Sequence, residues 1–401
     1  MAPHAIRRGA PALGAALAQL HEAQLRRERL TVAGFGAPGE RLLVTAEGRA
    51  LVDFSSNDYL GLARHPALAR AMAECAPRTG AGSGASHLIT GHGAEHEALE
   101  AELAAFTQRE RALLFSTGYM ANLAVMGALA VRGQRVLLDR LSHASLIDGA
   151  RLSGAQLRRY AHADAPAAQR LAAAEPGATA LIGTDGVFSM DGDLAPLPQL
   201  VRAAQAHEAW LVVDDAHGLG VIGAHGGGTL EHYGLSAAEV PVLVGTLGKA
   251  FGSFGAFVAG GHELIEYLIQ KARPYIYTTA LPQPVAAASR AALRLARTEA
   301  WRRERLQAHI GRFRELARAA GVPLMASATA IQPVPLGSAA AALAVQRELS
   351  AAGLCVIAIR APTVPAGRAR LRVTLSAAHT EQQVEALVQA LARACARVAP
   401  T

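Results

Sequence analysis

Trp210-Leu211-Val212-Val213-Asp214-Asp215-Ala216-His217-Gly218 is the stretch on which the reading of this chain turns. A short apolar run is consistent with a strand buried on both faces, and such strands belong to parallel sheets covered by helices. This one ends by delivering two acids and a histidine. In open α/β sheets, ligands sit beyond the carboxyl ends of the strands, so chemistry is expected at this end. A carboxylate buried there requires a cation or hydrogen-bond donors.

The same pattern repeats on both sides. Strands are expected at 112–116, 136–138, 180–184 and 242–245, with helices at 96–109, 119–131 and 197–207. Upstream, 42–45 and 51–54 read as a hairpin around Glu47-Gly48. Residues 1–30 read as a helix with an Arg-rich end (Arg26, Arg27, Arg29). Arg7 and Arg8 before an Ala/Leu-rich stretch faintly resemble a signal peptide. However, Leu13, Leu17, Leu20 and Leu25 continue at helical spacing past that point, and an amphipathic helix is the better reading. Downstream, a helical block at 284–320 leads into strands at 330–334, 356–359 and 370–374 and helices at 338–352 and 380–397. The expected fold is α/β: a large domain with a mostly parallel sheet flanked by helices, plus a smaller α+β C-terminal domain. The chain divides as 1–50, 51–283 and 284–401, since 401 residues exceed what one core usually supports.

Half of the residues are apolar and 18% are charged, which suits a folded, core-forming chain. The net charge of +7 is spread out, with no basic run of the kind that binds nucleic acid or membranes. Neither partner is expected. No apolar stretch reaches the roughly 20 residues of a membrane span. Cys75, Cys355 and Cys395 match no zinc or disulfide spacing and read as reduced thiols of a cytoplasmic protein. No metal site is expected. Of 39 Lys and Arg residues only Lys249 and Lys271 are lysines. Where charge alone is wanted this chain uses Arg, so a retained lysine suggests a need for an amine, which a guanidinium cannot supply.

Three further strand ends carry unusual clusters. Ser116-Thr117-Gly118-Tyr119-Met120-Ala121-Asn122 is a strand–turn–helix junction, where the Gly118 and Tyr119 amides can hold a phosphate at the helix start. Val244-Gly245-Thr246-Leu247-Gly248-Lys249-Ala250-Phe251-Gly252 sets a lysine in a glycine-rich loop, a Schiff-base candidate if burial lowers its pKa. In Thr184-Asp185-Gly186-Val187-Phe188-Ser189, Ser189 can hydrogen-bond a cofactor. A pyridinium nitrogen is the kind of cation that Asp214 would pair with, and pyridoxal phosphate (PLP) needs such a partner to act as an electron sink. Two rival motifs fail. Gly218-Leu219-Gly220-Val221-Ile222-Gly223 matches a dinucleotide fingerprint, but the following Ala224-His225-Gly226-Gly227-Gly228 is unfit to continue a helix. Gly248-Lys249 lacks the Ser or Thr and the first glycine of a P-loop.

Taken together, the chain resembles the α-oxoamine synthase family of fold-type-I PLP-dependent transferases. The stretches that carry the resemblance are Phe54-Ser55-Ser56-Asn57-Asp58-Tyr59-Leu60-Gly61, Asp139-Arg140-Leu141-Ser142-His143-Ala144-Ser145, Gly186–Asp193, Val213–Gly218 and Ile359-Arg360-Ala361-Pro362-Thr363-Val364-Pro365-Ala366-Gly367. The resemblance implies that Lys249 carries PLP, that Asp214 pairs with its ring nitrogen and that His143 stacks on the ring. It further implies that Gly118, Tyr119, Ser189, His217 and Thr246 complete the cofactor site. Arg26, Asn57, His143 and Thr363 would contact substrate, and Arg360 would grip an amino-acid carboxylate. The last stretch points to a member that joins L-alanine to a pimeloyl thioester carried on coenzyme A or an acyl carrier protein. The resemblance also implies a homodimer. Asp185 stands where Glu is usual, and Ala361 stands where Pro is usual. Sister activities using glycine or serine are the alternatives, and a dinucleotide-dependent oxidoreductase is the remote one.

Overall fold

The structure, a computed structural model, describes residues 13–175 and 177–398; the Arg7-Arg8 stretch lies outside them. Fourteen strands are described, in chain order: β1 Val32–Phe35, β2 Leu42–Thr45, β3 Ala50–Asp53, β4 Arg111–Phe115, β5 Arg135–Asp139, β6 Gln156–Tyr160, β7 Thr179–Asp185, β8 Trp210–Asp214, β9 Val242–Thr246, β10 Ala256–Gly260, β11 Ile331–Gly337, β12 Leu354–Cys355, β13 Ile357–Ile359 and β14 Ala369–Thr374. They form three sheets.

The large sheet has the order β4-β10-β9-β8-β7-β5-β6. Its strands from β9 to β6 pair parallel, and β10 alone runs against its neighbours β4 and β9. The inner strands are almost wholly buried, as continuous apolar runs covered on both faces require. One apolar cluster lies on each side of the sheet: Leu137, Ile182, Leu211, Val213 and Leu243 belong to one, and Val136, Leu138, Leu181, Val212 and Val242 to the other. Alternate residues of one strand thus feed opposite cores. The C-terminal part carries an antiparallel sheet, β11-β14-β13, and β12 pairs parallel with β3 of the N-terminal hairpin.

The fold is the α/β architecture expected, a large mixed sheet with parallel strands flanked by helices and a small antiparallel sheet domain. Several local expectations change. The N-terminal helix ends at Glu22, and Gln24 adopts a left-handed conformation (φ 57°) that no helix continues through. The helical block at 284–320 is two helices, Gln283–Thr298 and Trp301–Ala319. Two strands of the large sheet went unread. The edge strand β6 (Gln-Leu-Arg-Arg-Tyr) is mostly exposed, so it lacks an apolar run. In β10, Gly-rich surroundings mask a short apolar segment. The glycine loop after β8 leads only to a six-residue helix, Gly228–Tyr233, as the failed dinucleotide pattern requires.

One ion-paired clamp ties two strand-end loops under the sheet's carboxyl edge. His162 Nδ1 lies 3.0 Å from Asp139 Oδ1 and its Nε2 2.8 Å from Asp193 Oδ2. Burial disfavours the imidazolium, but hydrogen bonds and charges from both acids outweigh it and raise the pKa to about 10. The folded pKa lies above the unfolded value of about 6.5. This stabilisation is therefore complete below pH 6.5 and fades as pH rises toward 10. We expect His162→Gln to lose about 2 kcal/mol at pH 6, with the gap to the parent chain narrowing by pH 10, measured by urea denaturation at both values.

Candidate functional site

The site sits at the carboxyl ends of β7, β8 and β9. In the parallel register of β7 and β8, Asp185 lies beside Asp214. The two acids after Val213 then part company. Asp214 Oδ2 accepts from Asn122 Nδ2 at 2.6 Å, and its Oδ1 accepts from the Ala216 amide at 3.1 Å. Asp215 turns into the glycine loop, where its Oδ2 accepts from the Thr229 amide at 2.7 Å. A Cβ on Gly186, Gly218 or Gly228 would collide with the Asp215 carboxylate, so this acid is walled in, and burial raises its pKa to about 7. Asp214 is the one open to chemistry.

Asp185 is fully buried, and its Oδ2 accepts from the His143 amide at 3.0 Å. Burial first, then the neighbouring Asp214 charge, push its pKa well up. Among the described residues, no basic side chain forms an ion pair with Asp185 or Asp214. Two adjacent buried acids thus lie without an ion-pair partner among the described residues, with the Lys249 charge nearby.

Lys249 approaches from the loop after β9. Its Nζ lies 2.8 Å from His217 Nε2. Burial lowers its pKa to about 8, with the Arg372 charge adding to that and Asp214 and Asp185 opposing it. His217 is held neutral by burial and by the charges of Lys249, Arg372 and His143. The second lysine, Lys271, is exposed at the end of a helix remote from these strand ends.

An anion cradle opens at the helix Gly118–Leu129. Thr117 caps it by accepting from the Met120 amide at 3.2 Å, and the Ala121 amide donates to Thr117 O at 3.1 Å. No acceptor within the chain is described for the Gly118 and Tyr119 amides, and the space a Cβ on Gly118 would take is open. The Tyr119 hydroxyl turns away and binds Asp148. Thr246 Oγ1 donates to Gly255 O and accepts from the Gly248 amide. Ser189 is half-buried, and its carbonyl accepts from Arg372 Nε at 2.6 Å.

His143 precedes the helix Ala144–Leu152, an exposed residue within reach of the Asp214 and Lys249 charges. Asn122 orients it at one remove. One hydrogen of Asn122 Nδ2 goes to Asp214 and the other to Ser145 Oγ at 2.8 Å. Ser145 Oγ in turn lies 2.7 Å from His143 Nδ1. Asn57 is linked to Tyr59 and Arg372, and Tyr59 to His217. The described side-chain contacts of Arg360 and Thr363 are with the N-terminal segment. Arg360 donates to the carbonyls of Gln24 (2.8 Å) and Arg26 (2.6 Å), and the guanidinium on Thr363 belongs to Arg27 (2.9 Å). Arg26 therefore enters through its backbone.

Asn122, Ser145, Tyr59 and Arg372 were missed as site residues. A usable signal existed for Asn122, a polar residue on a helix whose buried positions are otherwise Ala, Val and Met. Arg372 gave a weaker one, as an Arg inside a fully buried strand. A separate cluster, His87, His92 and His96, gathers outside the site. There His96 spends both nitrogens, on the Gly93 amide and on Leu281 O, which marks it as structural.

These residues suit PLP. A buried acid without a cation matches a protonated ring nitrogen, a low-pKa amine matches an aldehyde, and unspent helix-start amides match a phosphate. Comparison with known proteins agrees. Residues 49–391 match the family model described as aminotransferase class I and II. An 8-amino-7-oxononanoate synthase of Methylococcus capsulatus is 61% identical over 351 residues, covering 88% of this chain and 91% of that protein. A serine palmitoyltransferase from S. paucimobilis, solved with PLP and myriocin bound, has a TM-score of 0.90 at 31% identity, covering 96% of this chain and 97% of that one. The 8-amino-7-oxononanoate synthase of Francisella tularensis has a TM-score of 0.75 at 34% identity, covering 86% and 97%.

Asn122→Leu removes a donor from a buried carboxylate and frees the His143 ring. We expect the Kd for PLP to rise about 10- to 100-fold, read by fluorescence titration of the apoprotein, while thermal unfolding stays cooperative.

Proposed function

The chain belongs to the class I and II aminotransferase family and, within it, to the 8-amino-7-oxononanoate synthases, and on that footing we propose how its residues serve the reaction. It joins L-alanine to a pimeloyl thioester, releasing carbon dioxide and the free thiol and giving 8-amino-7-oxononanoate for biotin biosynthesis. The observation that carries this reading is a low-pKa Lys249 close to a buried Asp214 that is held by the Asn122 amide rather than by an ion pair.

PLP, when bound, supplies an electron sink for the α-carbon of the amino acid. Asp214 holds a proton on the ring nitrogen, and Asn122 keeps that carboxylate in place. The amides of Gly118 and Tyr119, with Ser189 and Thr246, would receive the phosphate, and His143 would stack on the ring. Lys249 is the residue that carries PLP covalently. Its Nζ, when free, would remove the α-proton of the amino acid and later return one. A pKa of about 8 suits this, because the amine is partly neutral at physiological pH and remains a usable acid. Arg360 grips the alanine carboxylate with the N–H groups it does not spend on Gln24 and Arg26, and Asn57 contacts the substrate near Lys249.

The acyl group arrives on coenzyme A or an acyl carrier protein, both anionic, past the exposed basic segment of Arg26, Arg27 and Arg29. The division at about residues 50 and 283 separates the PLP-binding part from the C-terminal part that brings Arg360. The chain forms a homodimer. The support is an exposed apolar patch on adjoining segments: Leu88 and Ile89 lie on the turn His87–Gly91, and Tyr277 lies near the bridge of Ser86 to Thr279. No helix among the described residues is long and apolar enough to cross a membrane, and the three cysteines are unpaired. That suits a reducing, cytoplasmic setting.

A substrate panel tests this reading. With pimeloyl thioester, L-alanine should perturb the cofactor's visible absorbance and turn over, with glycine and L-serine at least about tenfold poorer, a difference of ~1.4 kcal/mol. Lys249→Ala should abolish turnover. Preference for glycine with an acetyl thioester would assign a sister activity instead.

A further inference from the structure

Lys249 must attack an aldehyde with its lone pair, yet it sits against an imidazole that can either accept a hydrogen bond from it or donate one to it. Which of these happens depends on the tautomer of His217. We propose that Tyr59 is a positioning residue that, through Asn57 and Arg372, locks His217 with its proton on Nδ1, so that Nε2 accepts from Lys249 and leaves the amine's lone pair free.

The argument is a count of donors. Arg372 has donors only. Its Nη1 lies 3.0 Å from Asn57 Oδ1, while its Nε is held on Ser189 O at 2.6 Å. The Asn57 atom facing it is therefore the amide oxygen, an acceptor. The Tyr59 hydroxyl lies 3.1 Å from that same oxygen. Tyr59 is 1% exposed, and it has a single hydrogen. If that hydrogen went elsewhere, the two oxygens would face each other lone pair to lone pair, the Tyr59 oxygen shut away from water. The hydrogen goes to Asn57, so the Tyr59 oxygen is left as an acceptor. His217 Nδ1 lies 2.6 Å from it and must be the protonated nitrogen. A neutral imidazole carries one such proton, and burial together with the charges of Lys249, Arg372 and His143 keeps His217 neutral. Nε2 is then bare, 2.8 Å from Lys249 Nζ. In the opposite tautomer, Nε2–H would bind the lone pair of the neutral amine and quench its nucleophilicity.

The inference rests on Lys249 being the residue that takes PLP, but the tautomer is readable without cofactor. The test uses nitrogen-15 histidine NMR on the full-length chain freed of PLP, with the His217 signal identified by its loss in His217→Gln. The parent chain should show Nδ1 protonated. Asn57→Leu frees the Tyr59 hydroxyl to donate to Nδ1, so the tautomer should invert to Nε2–H. Asn57→Asp keeps an acceptor at that place and should retain the original tautomer. Tyr59→Phe should leave the two tautomers mixed. The rate of PLP capture should fall about tenfold in Asn57→Leu and Tyr59→Phe. A proton on Nε2 in the parent chain, or an unchanged tautomer in Asn57→Leu, overturns the proposal. A correct tautomer with no PLP capture at all would instead overturn the cofactor reading.

Discussion

Two carboxylates, Asp185 and Asp214, emerge side by side from adjacent parallel strands into a buried place where, among the described residues, no basic side chain forms an ion pair with them. Everything around the site follows from that constraint. Backbone amides and Asn122 supply neutral donors to both acids. Asp214 is thereby held in place for a ring cation that the protein does not itself provide. The burial that makes those acids costly also lowers the Lys249 pKa. One low-dielectric pocket thus prepares both the electron-sink partner and the nucleophile.

Order in the pocket is transmitted by hydrogen-bond chains whose polarity is set at their ends. On one side, Asn122 spends its two hydrogens on Asp214 and Ser145, and Ser145 fixes the His143 ring. On the other, Arg372 fixes Asn57, and Tyr59 passes that choice to His217 and Lys249. Each chain joins a group from the large sheet to one from a neighbouring element. Arg372 lies on β14 of the small sheet, so the C-terminal part takes a direct share in setting the Lys249 environment.

Much of this was legible in the sequence because strand-end chemistry is local. Val213-Asp214-Asp215-Ala216-His217 and Gly248-Lys249 carry their functional groups within a few residues of a buried apolar run, and sheet geometry brings such ends together. What stayed hidden depends on contacts between distant segments. Tyr59 meets His217 across 158 residues and Arg372 meets Asn57 across 315, and no periodicity signals such meetings. Two strands escaped for a different reason. The exposed edge strand β6 has no apolar run to find, and β10 is short and set among glycines. Arg26 illustrates a further limit: the resemblance implied a substrate contact for it, and only the structure shows that its carbonyl meets Arg360 while Arg27 reaches Thr363.

The most direct measurement is chemical trapping of the resting protein. Borohydride treatment followed by digestion and mass spectrometry should find a phosphopyridoxyl group on the peptide that contains Lys249 and none on the peptide with Lys271. An unmodified Lys249 peptide from PLP-saturated protein, or a tag on Lys271 alone, would contradict the account.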